Sequence, residues 1–235
     1  HVERIAGEGK DIVRVVPRSS ATTRVMSGRW VDTADKSRWT TRGFEQRLDG
    51  TENHVANTPS LIHLKALLVY AETKGHVAAV GDCSGAFYQA PLEEERSFLE
   101  PPPEAQVSPD SVWEALCAFP GLKGAPKAWE EHSALEMEKL GMTRGLYDGC
   151  MFMRHGDQSK AGRHADDFLV TGPRGQVDEL LEEMRQKLQL ADVVRLFDIV
   201  SESTFLSMGI RKIQGGYAFM GKTSVTTTYC LSWGC

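Results

Sequence analysis

The stretch His164-Ala165-Asp166-Asp167-Phe168-Leu169-Val170-Thr171-Gly172 decides how this 235-residue chain is read. Two adjacent carboxylates precede a run of apolar and β-branched residues, and that run predicts a strand over Phe168–Thr171. Successive side chains on a strand point to opposite faces, so neighbouring aspartates can serve one site only from a turn. The pattern therefore predicts a tight hairpin with the Asp pair at its tip. On its own an Asp-Asp pair is common in turns, so a second element is needed.

Asp82 supplies it. His76–Asp82 alternates as a strand, with Val77, Ala79 and Gly81 on one face, and Cys83-Ser84-Gly85-Ala86-Phe87 follows. One carboxylate at a strand end and a pair at a hairpin tip is the donor set of a two-metal phosphoryl-transfer site. Mg²⁺ is a hard ion that prefers carboxylate and phosphate oxygens. Two such ions about 3.5–4 Å apart stabilise both the attacking and the leaving oxygen of an in-line displacement.

Around these elements the chain reads as mixed α+β with antiparallel hairpins rather than a regular βαβ alternation. Ile12–Val31 alternates short apolar pieces with turn residues. Leu61–Lys74 carries Leu61, Leu64, Leu67, Leu68 and Ala71 at helical spacing after Pro59 and before Gly75. Pro126 opens a long helix in which Trp129, Leu135, Met137 and Leu140 supply apolar contacts before Gly141. Cys150–Met153 reads as a strand and Gly156–Gly162 as a loop. Gln176–Leu190 is amphipathic, with Val177, Leu180, Leu181, Met184 and Leu188 on one face. Phe205–Ile213 and Tyr217–Met220 flank Gln214-Gly215-Gly216, a hairpin signal.

Bulk properties set the class. With 41% hydrophobic and 25% charged residues the chain can bury a core, which excludes disordered and fibrous classes. No apolar run reaches membrane-span length, and His1–Lys10 does not read as a signal peptide. The first residue is not Met, so a piece of a longer polypeptide is expected. Cys83, Cys117, Cys150, Cys230 and Cys235 form no C-x-x-C pair and read as free thiols. The net charge is -5, yet residues 1–50 hold ten Lys/Arg against seven Asp/Glu. A basic start beside an acidic remainder suits a protein that meets phosphates with one part and holds metal ions with another.

Six segments, in order, carry a family resemblance. Thr40-Thr41-Arg42-Gly43-Phe44-Glu45-Gln46, with Lys36-Ser37-Arg38 ahead of it, resembles the K-x-R-x-x-x-R-G-F-x-Q segment of Ty/copia-type retrotransposon reverse transcriptases. Asp82-Cys83-Ser84-Gly85-Ala86-Phe87, with Leu92-Glu93-Glu94-Glu95 behind it, is similar to their D-x-x-x-A-F…L-E-E motif, and Glu100-Pro101-Pro102-Pro103 to the E-x-P-P loop. Gly121-Leu122-Lys123-Gly124-Ala125-Pro126-Lys127-Ala128-Trp129 resembles G-L-K-Q-A-P-R-A-W. Asp166-Asp167 matches the pair of the Y-x-D-D box, and Phe205-Leu206-Ser207-Met208-Gly209-Ile210 the F-L-G-x-x-I strand. The resemblance covers roughly Ile12 to Gly221.

The resemblance implies a right-hand polymerase fold, with fingers and a palm whose antiparallel sheet packs on helices, the thumb being absent or truncated. Residues 1–81 would form a fingers-like part, and 82–221 the palm, with a fingers segment interleaved around 88–125. Residues 222–235 would be a diverged tail. It implies RNA-directed DNA synthesis, extending a primer on an RNA or DNA template with dNTP. Asp82, Asp166 and Asp167 would hold two Mg²⁺ ions, for which Mn²⁺ can substitute. Lys36, Arg38, Arg42, Phe87, Gly121, Lys123 and Pro126 would contact nucleotide or template. Lys36 and Arg42 would meet phosphates, Arg bidentately. The Phe87 ring would clash with a ribose 2′-hydroxyl. No membrane partner is expected, nor ribonuclease H or integrase regions of a Pol polyprotein in this chain. Family expectation places such an enzyme in a cytoplasmic retroelement particle.

The sequence also departs from the family pattern. His164 replaces the tyrosine of the Asp-Asp box, Gly124 a glutamine, and Gly209 a residue that is commonly acidic. The approach Ser159-Lys160-Ala161-Gly162-Arg163 is not the usual apolar strand, and a buried strand made from it is expected to be poorly stabilised. Three alternatives follow. One is a catalytically inactive remnant that at most binds nucleic acid. The second is another two-metal enzyme, such as a nuclease or nucleotidyl cyclase. The third is a binding module in which the aspartates are dispensable.

Overall fold

The computed structural model describes residues 11–32, 37–46, 54–92, 96–199, 201–206 and 208–220. Lys36, Glu93–Glu95 and the tail 222–235 lie outside these. In chain order the first elements are β1 (Val13–Pro17), β2 (Val25–Met26), β3 (Gly28–Asp32), β4 (Ser37–Thr41), α1 (Leu61–Thr73), β5 (Val77–Cys83) and the short α2 (Ala86–Gln89). There follow β6 (Phe98–Leu99), β7 (Ser111–Ala115), α3 (Ala125–Lys139), β8 (Met142–Arg144), β9 (Met151–Arg154), β10 (Lys160–His164) and β11 (Asp167–Gly172). Last come α4 (Arg174–Leu188), β12 (Leu190–Leu196), β13 (Glu202–Phe205), β14 (Met208–Ile213) and β15 (Gly216–Met220). Two compact units result, one of residues 1–56 and 85–133, the other of 57–84 and 134–235. No helix among the described residues is long and apolar enough to cross a membrane.

In the second unit, six strands form an antiparallel sheet in the order β12-β5-β11-β10-β9-β8. Both faces of its central strands are buried, which is why Val77-Ala78-Ala79-Val80-Gly81 and Phe168-Leu169-Val170 read as continuous small and apolar runs. On one face, Ala78, Val80, Leu169 and Leu196 share a core with Leu64, Leu67 and Leu68 of α1. Phe205, Ile210, Tyr217 and Phe219, from the three-stranded sheet β13-β14-β15, complete that core. Helix α4 packs on the sheet through Val177, Leu180, Leu181, Met184 and Leu188, the five residues its periodicity singles out.

The first unit has two sheets. One has the order β1-β7-β6-β2, in which only β2 and β6 pair in parallel. The Arg18 guanidinium ties β1's end to Glu100 with bonds of 3.0 and 2.7 Å. The other is the β3-β4 ribbon, where Trp30 faces Trp39 edge-on at 5.4 Å.

Several expectations need correction. Residues 160–162 do not end a loop but open strand β10, paired with both β9 and β11, and Ala161, Gly162 and Arg163 are buried. The strand holds because small residues let α1 approach: a Cβ on Gly162 would stand 2.5 Å from Leu64 Cδ2. The Arg163 backbone N–H donates to the Cys150 carbonyl at 2.8 Å, and its guanidinium lies 3.8 Å from Cys150 Sγ. The strand expected over His76–Asp82 runs one residue further, to Cys83. Leu190 opens β12, since Gln189 at φ 50° ends α4. Phe205 belongs to β13, separate from β14. Leu135 is 54% exposed, while Trp129 and Met137 carry the contacts of α3.

The burial pattern separates two leucines by consequence. Leu68→Ala, at a fully buried position, should cost about 2–5 kcal/mol of stability. Leu135→Ala should stay within about 0.5 kcal/mol of the parent. Urea denaturation of both variants measures this.

Candidate active site

The carboxylates are gathered by sheet register. Strands β10 and β11 join through Ala165 and Asp166, with His164 paired to Asp167, so the hairpin tip lies where the spacing predicts it. Ala165 takes φ +50°, the left-handed conformation that closes so short a connection. Strand β11 pairs with β5 so that Asp167 lies directly opposite Asp82. The Cys83 N–H then donates to the Asp166 carbonyl at 2.9 Å, and the Ser84 N–H donates to Gln189 at 3.2 Å. Ala191 of β12 pairs with Asp82 on its other side. Backbone bonds thus fix Asp82, Asp166 and Asp167 at one end of the central strands.

Electrostatics follow from that register. Like charges opposite one another on neighbouring strands repel. Burial raises the Asp167 carboxyl to about 6, with the negative charges of Asp166 and Asp82 adding to the shift. Cys83, buried beside them, is pushed far up by burial and by the same three carboxylates, which disfavours its thiolate. Burial lowers the His164 imidazole, and Arg163 adds to this while Asp166 opposes it. Among the described residues no three His, Cys, Asp or Glu side chains already stand arranged to hold a metal ion. The donor chemistry nonetheless fits Mg²⁺: hard carboxylate oxygens whose mutual repulsion a divalent cation would relieve.

In the first unit, two motifs noted in the sequence prove to be one interlock. The Thr41 N–H and Oγ1 donate to the Pro120 carbonyl at 2.9 and 3.0 Å. The Arg42 N–H donates to the Ser27 carbonyl at 2.9 Å, and Ser27 donates from N and Oγ to the Glu45 carboxylate, each at 2.8 Å. Those bonds hold Glu45 below the usual carboxylate range. The Lys123 N–H donates to Gln46 Oε1 at 3.0 Å and Lys123 Nζ to the Gln46 carbonyl at 2.8 Å. Gly43 and Gly121 cross where no side chain fits. A Cβ on Gly43 would lie 1.9 Å from the Gly121 carbonyl oxygen, and one on Gly121 would lie 2.0 Å from that of Thr41. Gly121 also takes φ +94°.

Arg38, Arg42, Gly121, Lys123 and Pro126 are exposed in this unit, and Phe87 is half-buried in α2. Lys36 lies outside the described residues. Sequence reasoning named Arg163 only as part of a polar approach and missed that it is buried near Cys83. It also missed the packing role of Gly43 and Gly121, which the motif spelled out but whose crossing no local pattern reveals.

The sheet sets a carboxylate opposite an Asp-bearing hairpin tip. Comparison with known proteins adds the family. Residues 13–227 match the family described as reverse transcriptase (RNA-dependent DNA polymerase), and the chain belongs to that family, of the Ty/copia type. The "Putative transposon Ty5-1 protein" of Saccharomyces cerevisiae is 27% identical over 146 residues, covering 57% of this chain and 43% of that protein. Two structures of the foamy viral protease-reverse transcriptase, both in complex with double-stranded DNA, share the fold at TM-score 0.51. Identities are 12% and 13%, over 89% of this chain and 32% and 38% of theirs. The chain thus spans less than half the length of these relatives.

Two predictions follow from this geometry. The folded state binds Asp167's proton more tightly than the unfolded chain, whose value is near 3.8. Stability therefore falls as pH rises from about 4 through about 6. Without divalent ions, Asp167→Asn should melt higher than the parent near pH 7, and the difference should close below about pH 4. Thermal melts across pH read this. Gly43→Ala should cost more than about 2 kcal/mol, since a backbone oxygen cannot step aside, measured by chemical denaturation.

Proposed function

We propose that the chain is an RNA-directed DNA polymerase that transfers nucleotides from dNTP to a primer 3′-hydroxyl. The palm expected over 82–221 is extended to take in residues 57–81, as the unit of 57–84 and 134–235, and the fingers are then the unit of 1–56 and 85–133. One observation carries the proposal: strand register sets Asp167 opposite Asp82 with Asp166 in the adjoining turn. Mg²⁺ held by these three carboxylates would neutralise triphosphate charge and ease deprotonation of the primer hydroxyl. The residues of this chain supply the rest. Buried strands hold the carboxylates in place before substrate arrives, so little reorganisation is needed at the moment of reaction. Exposed Arg38 and Arg42 offer guanidinium forks to phosphates. Phe87 offers a ring edge against a 2′-hydroxyl.

The alternative is an inactive remnant, for which the polar approach to Asp166 speaks; that approach pairs as strand β10 all the same. A cytoplasmic retroelement particle containing the element's RNA is the proposed setting.

The test is primer extension on poly(rA)/oligo(dT) with Mg²⁺ or Mn²⁺. The parent should extend, and Asp166→Asn should lose at least about 100-fold, in line with removal of a group that stabilises transition-state charge. Well-folded parent protein that extends nothing would contradict the proposal.

A further inference from the structure

Strand β10 carries the hairpin tip, and its residues alternate between the two faces of the sheet. His164 pairs with Asp167, which pairs with Asp82, so these three share a face with Gly162, where α1 closes over the strand. Arg163 points to the other face. There it pairs with Phe168, which pairs with Gly81, and Cys83 lies two residues further along β5. The Arg163 guanidinium reaches Cys150 Sγ at 3.8 Å.

Arg163 is 2% exposed, and among the described residues it is the one buried charged side chain of the second unit. It stands where the resemblance leads one to expect an apolar strand residue. A buried cation is costly unless negative charge stands near it. The nearest carboxylates along the chain are Asp166 and Asp167, three and four residues on. Cys83 lies in the fields of both parties at once: Asp82, Asp166 and Asp167 push its thiol up, while Arg163 pulls it down. The cation and the three carboxylates therefore act on one another through a single sheet whose central strands are buried, where charge is screened less than in water. A guanidinium suits such a position because it stays protonated even when buried. A fixed positive charge there offsets part of the repulsion among the carboxylates when no metal ion is bound. The same charge repels any cation that enters.

We propose that Arg163 is a built-in counter-charge of the carboxylate site, holding Asp82, Asp166 and Asp167 together without metal and weakening their grip on a divalent cation. This rests on the polymerase reading in taking the three aspartates as metal ligands. It adds to that reading a positioning residue that acts from beneath the sheet.

The experiment is Mn²⁺ binding to the full chain, without nucleic acid or dNTP, followed by electron paramagnetic resonance, with thermal melts of the same samples. Asp82→Asn should weaken binding, which marks the site. Arg163→Met, which removes the charge from a side chain of comparable reach, should tighten Mn²⁺ binding about 4- to 250-fold. That is the range for a unit charge acting on a divalent ion from roughly 10 Å, two strand spacings, at effective dielectric constants of about 80 and about 20. Arg163→Lys, which keeps the charge, should bind like the parent. Without metal, Arg163→Met should melt below the parent, and saturating Mn²⁺ should raise its melting temperature by more than it raises the parent's. The sign is decisive, because loss of a merely structural residue would loosen the site and weaken Mn²⁺ binding. Should Arg163→Met not fold, Arg163→Gln answers the same question with a neutral polar side chain. Mn²⁺ binding weakened or unchanged in the folded neutral variant overturns the proposal, as does a parent whose Mn²⁺ binding ignores Asp82→Asn. Primer extension run alongside separates the two ideas. An active parent whose neutral variant binds Mn²⁺ no more tightly sinks the counter-charge alone, and an inactive parent whose neutral variant binds it more tightly sinks the polymerase reading alone.

Discussion

The pairing of Asp167 against Asp82 across β11 and β5 is the constraint on which the candidate site depends. Two carboxylates held opposite each other repel, and a third follows in the adjoining turn. A chain free to relax would move them apart. Here the ladder prevents it, because β11 is paired on both sides, with β5 and with β10, and a shift would break both sets of backbone bonds. Pairing thus fixes the register, and the register fixes the charges. The raised proton affinity of Asp167 is the visible cost of that arrangement, a destabilising element at the candidate site, supported by the core around it.

The same logic works in the other unit with different materials. There the backbone is immobilised not by burial alone but by a crossing of Gly43 with Gly121, reinforced by bonds from Thr41, Lys123 and Ser27. The tight inner seam leaves Arg38, Arg42 and Phe44 exposed on the outer edge.

Much of this was legible in the sequence, for identifiable reasons. Helix α4 announced itself because five apolar residues repeat at helical spacing and all five are buried. The hairpin tip was legible because an Asp pair before an apolar strand has few other places to go. Strand β10 was not, because its inner residues are small or charged, and a lysine, a glycine and an arginine give no period to read. Its stability comes from α1 closing over Gly162 and from pairing on both sides, which are tertiary facts. The opposition of Asp82 and Asp167 was also out of reach, since 84 residues of chain lie between the two positions and no local pattern encodes register. Leu135 shows the converse error: an apolar residue in a helix need not face the core.

The most direct test of the central claim is Mn²⁺ binding followed by electron paramagnetic resonance, with primer–template and a non-incorporable dNTP present. The parent should bind Mn²⁺ tightly. Asp82→Asn and Asp167→Asn should each weaken that binding, and the double variant should lose little more than either single one, because the two carboxylates act as one ligand pair. Mn²⁺ binding unchanged in both single variants would contradict the account.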